Sequence, residues 1–196
     1  LPSVFTLFKE RVKLTKKFLR KILSVPLIIM LFMFSGCQEI SQSGIDFKPS
    51  IPMTQYQISE GIDFFIPEEY QEKDSQSGNR IFKSNSASIV ISHAETNPQY
   101  DTVDKYSFYA MTEYTKLFDD FNLENEETYA LRDTSAKVNE ITYKISGETE
   151  SLEMSSLIGY IIYDGETYVI TCSATPENYE KNKDGFSQTI KSFSFS

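Results

Sequence analysis

The 196-residue chain has no tryptophan, one histidine (His93) and two cysteines, Cys37 and Cys172. Zinc centres are built largely from His and Cys ligands, so a lone histidine and two distant cysteines leave such a site without its ligand set. Two cysteines close at most one disulfide, so the folded part must rest on a hydrophobic core. Also missing are Gly-x-Ser-x-Gly, His-Glu-x-x-His, a P-loop and Cys-x-x-Cys, the local signatures of esterases, zinc proteases, nucleotide hydrolases and dithiol chemistry. No motif asks for a cofactor. An apolar helix needs about 20 residues to cross a bilayer. The stretch Ile22–Phe34 has 13, with Ser24 and Pro26 interrupting its start. There is no internal repeat and no low-complexity tract.

What is present begins with the leader. Lys13, Lys16, Lys17, Arg20 and Lys21 precede the apolar run Ile22–Phe34, and Ser35-Gly36 follow it. A basic region, a short apolar region and small residues in that order make a secretory signal peptide. A membrane-spanning helix or a buried core helix are the alternatives; 13 residues are too few for the first, and the crowded cations fit export better than the second. Phe34-Ser35-Gly36-Cys37 resembles the lipobox of bacterial lipoproteins. The resemblance implies that Cys37 is thioether-linked to a diacylglycerol and becomes the acylated first residue of the mature protein, which makes the lipid bilayer its first partner. A start at Val12 would give a 25-residue signal and leave Leu1–Arg11 untranslated. Gln38 after the lipid-bearing residue implies, in a Gram-negative cell, transfer to the outer membrane with the domain facing the periplasm. In a Gram-positive cell the domain would face outward from the plasma membrane.

Charge separates the leader from the rest. Residues 1–36 hold seven of the 19 basic and one of the 28 acidic residues, leaving 12 basic, 27 acidic and a net charge of −15 from Cys37 onward. Nucleic acid and anionic head groups are bound by clustered Lys and Arg, so such a domain is expected to bind neither by charge. Lipid at Cys37 would have to hold it to the membrane.

The expected organisation is a signal peptide over 1–36, the lipidated cysteine and a tether over 37–53, and one folded domain over 54–196. In the domain, Tyr56–Ile58 and Ile62–Ile66 read as strands around Ser59-Glu60-Gly61, with Pro67 ending the second. Residues 67–74 read as irregular and 76–79 as a loop. Arg80–Lys83 and Ser88–Ile91 form a hairpin across Ser84-Asn85-Ser86. Val103, Tyr106, Ala110, Tyr114, Leu117 and Phe121 recur at helical spacing, with Met111 and Phe118 widening the stripe, Asp101 or Thr102 as the cap and Asn122 as the end. Glu127–Leu131, Ile141–Ser146 and Met154–Tyr163 follow as strands. Asp164-Gly165 predicts a two-residue type I′ turn into Thr167–Cys172. Both arms of that hairpin are apolar on nearly every residue, as in central strands covered on both faces. Thr175-Pro176 opens a last helix with Tyr179, Phe186, Ile190 and Phe193 inward and Gly185 as a weak point. The class is α+β, a mainly antiparallel sheet flanked by helices.

Ile62–Tyr70, Arg80–Lys83, the Asp164-Gly165 hairpin, Tyr168–Tyr179 and Phe186–Phe193 together resemble PsbP-like domains over roughly residues 54–196. The resemblance implies an α/β/α sandwich and a non-catalytic, partner-binding role. The function expected is therefore a membrane-anchored envelope lipoprotein whose domain docks a protein partner, as yet unknown. Divalent-cation binding is the alternative, through the oxygen-rich Asp119-Asp120…Asn122…Glu124 segment, although its spacing is not that of an EF-hand. A hydrolase stands behind both: adjacent acids occur at Glu68-Glu69, Asp119-Asp120 and Glu126-Glu127, but acid pairs of this kind are generally solvated faces. Cys172 in a strand-like run reads as a buried apolar filler, and His93, 79 residues away, as a strand-end surface residue.

Overall fold

The computed structural model describes residues 47–74, 78–146 and 151–196. The signal peptide, the lipobox Phe34-Ser35-Gly36, Cys37 and the first part of the tether lie outside them, as do the first two residues of the loop expected over 76–79. Ten strands and two α-helices follow in the order β1 (Met53–Ser59), β2 (Ile62–Pro67), β3 (Gln71–Lys73), β4 (Arg80–Lys83), β5 (Ala87–Glu95), α1 (Val103–Leu117), β6 (Asp119–Ala130), β7 (Ser135–Ser146), β8 (Ser151–Tyr163), β9 (Glu166–Ala174), α2 (Pro176–Lys191) and β10 (Ser194–Phe195).

The main sheet is antiparallel throughout, in the order β3-β4-β5-β9-β8-β7-β6. Its middle is the hairpin β8–β9, turned by Asp164 (φ 46°) and Gly165 (φ 76°). Side chains alternate between two cores. On one face Leu157, Ile161, Tyr168, Ile170 and Cys172 meet Tyr179, Phe186 and Ile190 of α2. On the other, Ile141, Tyr143, Ile158 and Tyr160 meet Ala110 and Met111 of α1. A second, three-stranded sheet, β1-β2-β10, adds Phe64, Ile66 and Phe195 to the α2 core. This is the α+β sandwich that composition and periodicity led one to expect, with the hairpin at its centre.

Helix α2 sits unusually close to the sheet at two glycines. A Cβ on Gly159 of β8 would lie 2.8 Å from Ile190 Cγ2, 3.1 Å from Cγ1 and 3.2 Å from Cδ1. A Cβ on Gly185 would come within 3.1 Å of Pro67 Cγ. The helix-weakening residue anticipated at 185 is thus a contact point, where a missing side chain lets α2 rest on the end of β2.

Three departures from expectation have local causes. Residues 71–73 form a short strand, β3, paired with β4 through Gln71↔Lys83 and Lys73↔Ile81; their exposed polar side chains carry no apolar alternation to mark it. Helix α1 stops at Leu117, because Phe118 is extended (φ −116°, ψ 142°) and Asp120 takes φ 49°. Phe121 falls on the helical stripe by spacing but reaches the α1 core from strand β6. Finally, part of the segment assigned to a tether is held against the domain. Phe47 packs on Phe65 at 5.5 Å, Ser50 N–H donates to Gln188 Oε1 at 2.7 Å, and Gln188 Nε2 donates to Ser50 Oγ at 2.7 Å.

Gly159→Ala is expected to destabilise the protein by about 1–3 kcal/mol through overpacking. In the Ile190→Ala background, which removes all three crowding atoms, the same change should cost markedly less; urea unfolding of the four proteins of this double-mutant cycle measures the difference.

Candidate functional site

The residues with reactive chemistry are kept apart or already engaged. Cys172 is fully buried on the α2 face, and burial pushes its thiol pKa far up, away from the reactive thiolate. His93 pairs across the ladder with Tyr168, on which its ring stacks at 5.8 Å, whereas Cys172 pairs with Ile89. The two are therefore four positions apart along the strands, about 13 Å. Glu166 Oε2 lies 3.8 Å from His93 Nδ1, and both of these side chains are exposed at the strand end, over the buried ring of Tyr168. Among the described residues, no group of three or more His, Cys, Asp or Glu is arranged to hold a metal ion.

The oxygen-rich segment is occupied by the protein itself. Asp120 receives Lys144 Nζ at 2.7 Å, Asp119 receives Ser146 Oγ at 2.6 Å and Glu124 receives Thr142 Oγ1 at 2.8 Å. The carboxylates are spread along a strand edge and answered one by one from β7, which is the opposite of the convergent cage that a calcium ion requires. The pair Glu126-Glu127 is divided in the same way: Glu126 takes Lys137 Nζ at 2.7 Å, and Glu127 takes Asn125 Nδ2 at 2.6 Å.

The feature that stands out is on the α1 face. Helix α1 begins at a Thr102 cap whose hydroxyl accepts from Lys105 N–H at 3.3 Å, and it is pinned to the sheet in three ways. Asn139 Nδ2 donates to Ser107 Oγ at 2.7 Å in a fully buried bond, Tyr106 lies 5.6 Å from Tyr160, and Phe118 lies 4.3 Å from Tyr143. Lys137 then bridges helix and strand, 3.3 Å from Asp104 and 2.7 Å from Glu126, and the bond to Glu126 chiefly raises its pKa.

The helix is too narrow for the surface it should cover. Among the described residues five large apolar side chains remain exposed: Phe108 (76%), Leu117 (67%), Leu152 (51%), Leu123 (45%) and Ile145 (43%). All five share the α1 face. Leu123 pairs with Ile141, a member of the α1 core; Ile145 pairs with Leu152, and each stands two residues from a side chain packed in that core, Tyr143 and Met154. Between α1 and β6 runs a groove of about 530 Å³ lined by Phe108, Met111, Phe121 and Leu123, with Asp104, Glu126 and Lys137 at its rim. The α2 face has no such residue among the described ones. Sequence periodicity placed Leu117 inside and passed over Phe108. The available signal for Phe108 was an aromatic on the polar side of the helix, between Lys105 and Thr112.

Against known proteins, no family model and no curated protein matches the chain. Solved structures do. The cyanobacterial PsbP (CyanoP) of Synechocystis sp. PCC 6803 superposes with a TM-score of 0.57 at 13% identity, over 74% of this chain and 93% of that one. The Ran-binding protein Mog1p of Saccharomyces cerevisiae does so with 0.55 at 9% identity, over 74% and 96%. The domain has the PsbP-like fold. At these identities the likeness is one of architecture, and the PsbP-like segments singled out in the sequence are structural here: Tyr70 is buried and donates to Asn182 Oδ1 at 2.7 Å.

Burial also raises the pKa of Tyr160, Tyr114 and Tyr106, so these groups and Cys172 keep their protons longer in the fold than in the unfolded chain. Their contribution to stability is whole below the unfolded thiol's pKa of about 8.5 and is lost as the pH rises, first through Cys172 and from about pH 10 through the tyrosines. The urea midpoint is expected to fall on going from about pH 8 to pH 11. At neutral pH, Cys172 should stay unlabelled by a maleimide until urea unfolds the chain; rapid labelling of the native protein would show that the α2 core is open.

Proposed function

We propose that the protein is an envelope lipoprotein, anchored through acylated Cys37 after removal of residues 1–36, whose PsbP-like domain docks another envelope protein without catalysing a reaction. The anchor rests on the basic leader, the short apolar run and Phe34-Ser35-Gly36-Cys37. In a Gram-negative cell, Gln38 favours the outer membrane with the domain in the periplasm; in a Gram-positive cell the domain faces outward from the plasma membrane.

The observation that carries the docking role is the gathering of all five exposed large apolar residues of the described chain on one face. Scattered single apolar residues are ordinary on a soluble surface, whereas an apolar face with a charged rim marks an interaction site. That a protein of this fold is named for binding Ran agrees with the role. No helix among the described residues is long and apolar enough to cross a membrane. The cation-binding alternative draws no support from Asp119–Glu124, whose carboxylates do not converge and each have one oxygen engaged, by Ser146, Lys144 and Thr142.

The test uses the tagged full chain, crosslinked in its native cells and purified in detergent. It should recover one envelope protein in near-stoichiometric amount, and the Phe108→Asp/Leu117→Asp variant, folded by circular dichroism, should lose it. Recovery of no specific protein, or equal recovery by the variant, overturns the docking role. Cys37→Ser should separately move the chain from the membrane to the soluble fraction and abolish lipid labelling; a membrane-bound mutant removes the anchor.

A further inference from the structure

Strand β6 closes the main sheet, and its outer edge has no partner among the described residues. The opposite edge, β3, is three residues long; β6 is 12, and nearly all of it is exposed. Register shifts interrupt it between Asp119 and Asn122 and between Leu123 and Asn125, and from Asn125 to Ala130 the regular edge presents alternate N–H and C=O groups for pairing with another strand. Its composition decides which strand. Asp119-Asp120-Phe-Asn-Leu-Glu124-Asn-Glu126-Glu127-Thr-Tyr-Ala holds five acids and no base. Lys144 and Lys137 answer Asp120 and Glu126 from β7, and Asp119, Glu124 and Glu127 have no cation among the described residues. A second copy pairing edge to edge would set acid against acid, which is unfavourable across a ladder. A segment with lysine or arginine would be drawn in. Beside this edge, on the α1 face, lies the groove with exposed Phe108 and Leu123.

We propose that the outer edge of β6 takes up an extended segment of a partner protein, rich in lysine or arginine alternating with apolar residues, as an eighth strand of the sheet. Backbone hydrogen bonds to β6 hold it, alternate apolar side chains lie against Phe108 and Leu123, and its cations meet Asp119, Glu124 and Glu127. The inference rests on the protein-docking role above and names the chemistry of the partner.

The probe is an acetylated, amidated heptapeptide of alternating lysine and valine, added to the detergent-solubilised full chain. It should bind, slow hydrogen exchange within 119–130 and at alternate amides of 125–130, and weaken as salt rises. The same peptide N-methylated on alternate residues keeps charge and side chains but loses one edge of donors, and should bind about tenfold more weakly or worse. A glutamate–valine peptide should not bind. The folded variant Glu124→Lys/Glu127→Lys should lose the lysine–valine peptide. Equal binding of the N-methylated peptide, or no protection along 119–130, overturns strand addition. A dimer whose β6 amides are already protected without peptide assigns the edge to a second copy and overturns it too. If these fail while Phe108→Asp/Leu117→Asp still loses the crosslinked envelope protein, the docking role stands and only the mode proposed here is wrong.

Discussion

Everything in this fold depends on burying both faces of the hairpin β8–β9. Its side chains alternate, so each strand feeds two cores at once, and a single antiparallel pair must be covered from two sides. On one side the cover is generous: α2 and the small sheet β1-β2-β10, brought within touching distance by Gly159 and Gly185. On the other it is one 15-residue helix, α1, which reaches β6, β7 and β8 and leaves apolar surface on both flanks. The asymmetry between these two covers is what gives the molecule a closed face and one with exposed apolar side chains.

Charge works with that asymmetry. A net charge of −15 from Cys37 onward favours solubility and opposes binding to anionic lipid, so that attachment to a bilayer would fall to a lipid on Cys37. Along β6 the same acidity blunts an edge that would otherwise invite self-pairing. Lysines on the neighbouring strand β7 answer only part of it, through Lys137 and Lys144, so the strand keeps a net negative rim beside its exposed leucine. Protection against copies of itself, and the attraction proposed toward a basic partner, would follow from one set of side chains.

The parts of the fold legible in the sequence were those where local chemistry and burial agree. Asp164-Gly165 supplied its turn, the doubly apolar arms supplied the centre of the sheet, and Thr175-Pro176 marked the start of α2. Strand β6 was only half visible, as its last residues, because two register shifts break its alternation and backbone pairing with β7 does the work that apolar side chains do elsewhere. Phe121 misled for a related reason: strand and helix place side chains in one core, so spacing alone extended α1 by a turn. The exposed apolar face was not legible at all. Whether Leu117 and Phe108 point inward depends on how α1 is rolled on the sheet, which the buried Ser107–Asn139 bond decides across 32 residues of sequence.

The most direct test of a one-sided docking face is site-specific photocrosslinking in the native cell, with a photoreactive residue at Phe108 or Leu123 on the α1 face, or at exposed Glu180 on α2. Adducts to one envelope protein from Phe108 and Leu123, and none from Glu180, are the expected result. Adducts from Glu180 alone, or from all three positions alike, would contradict it.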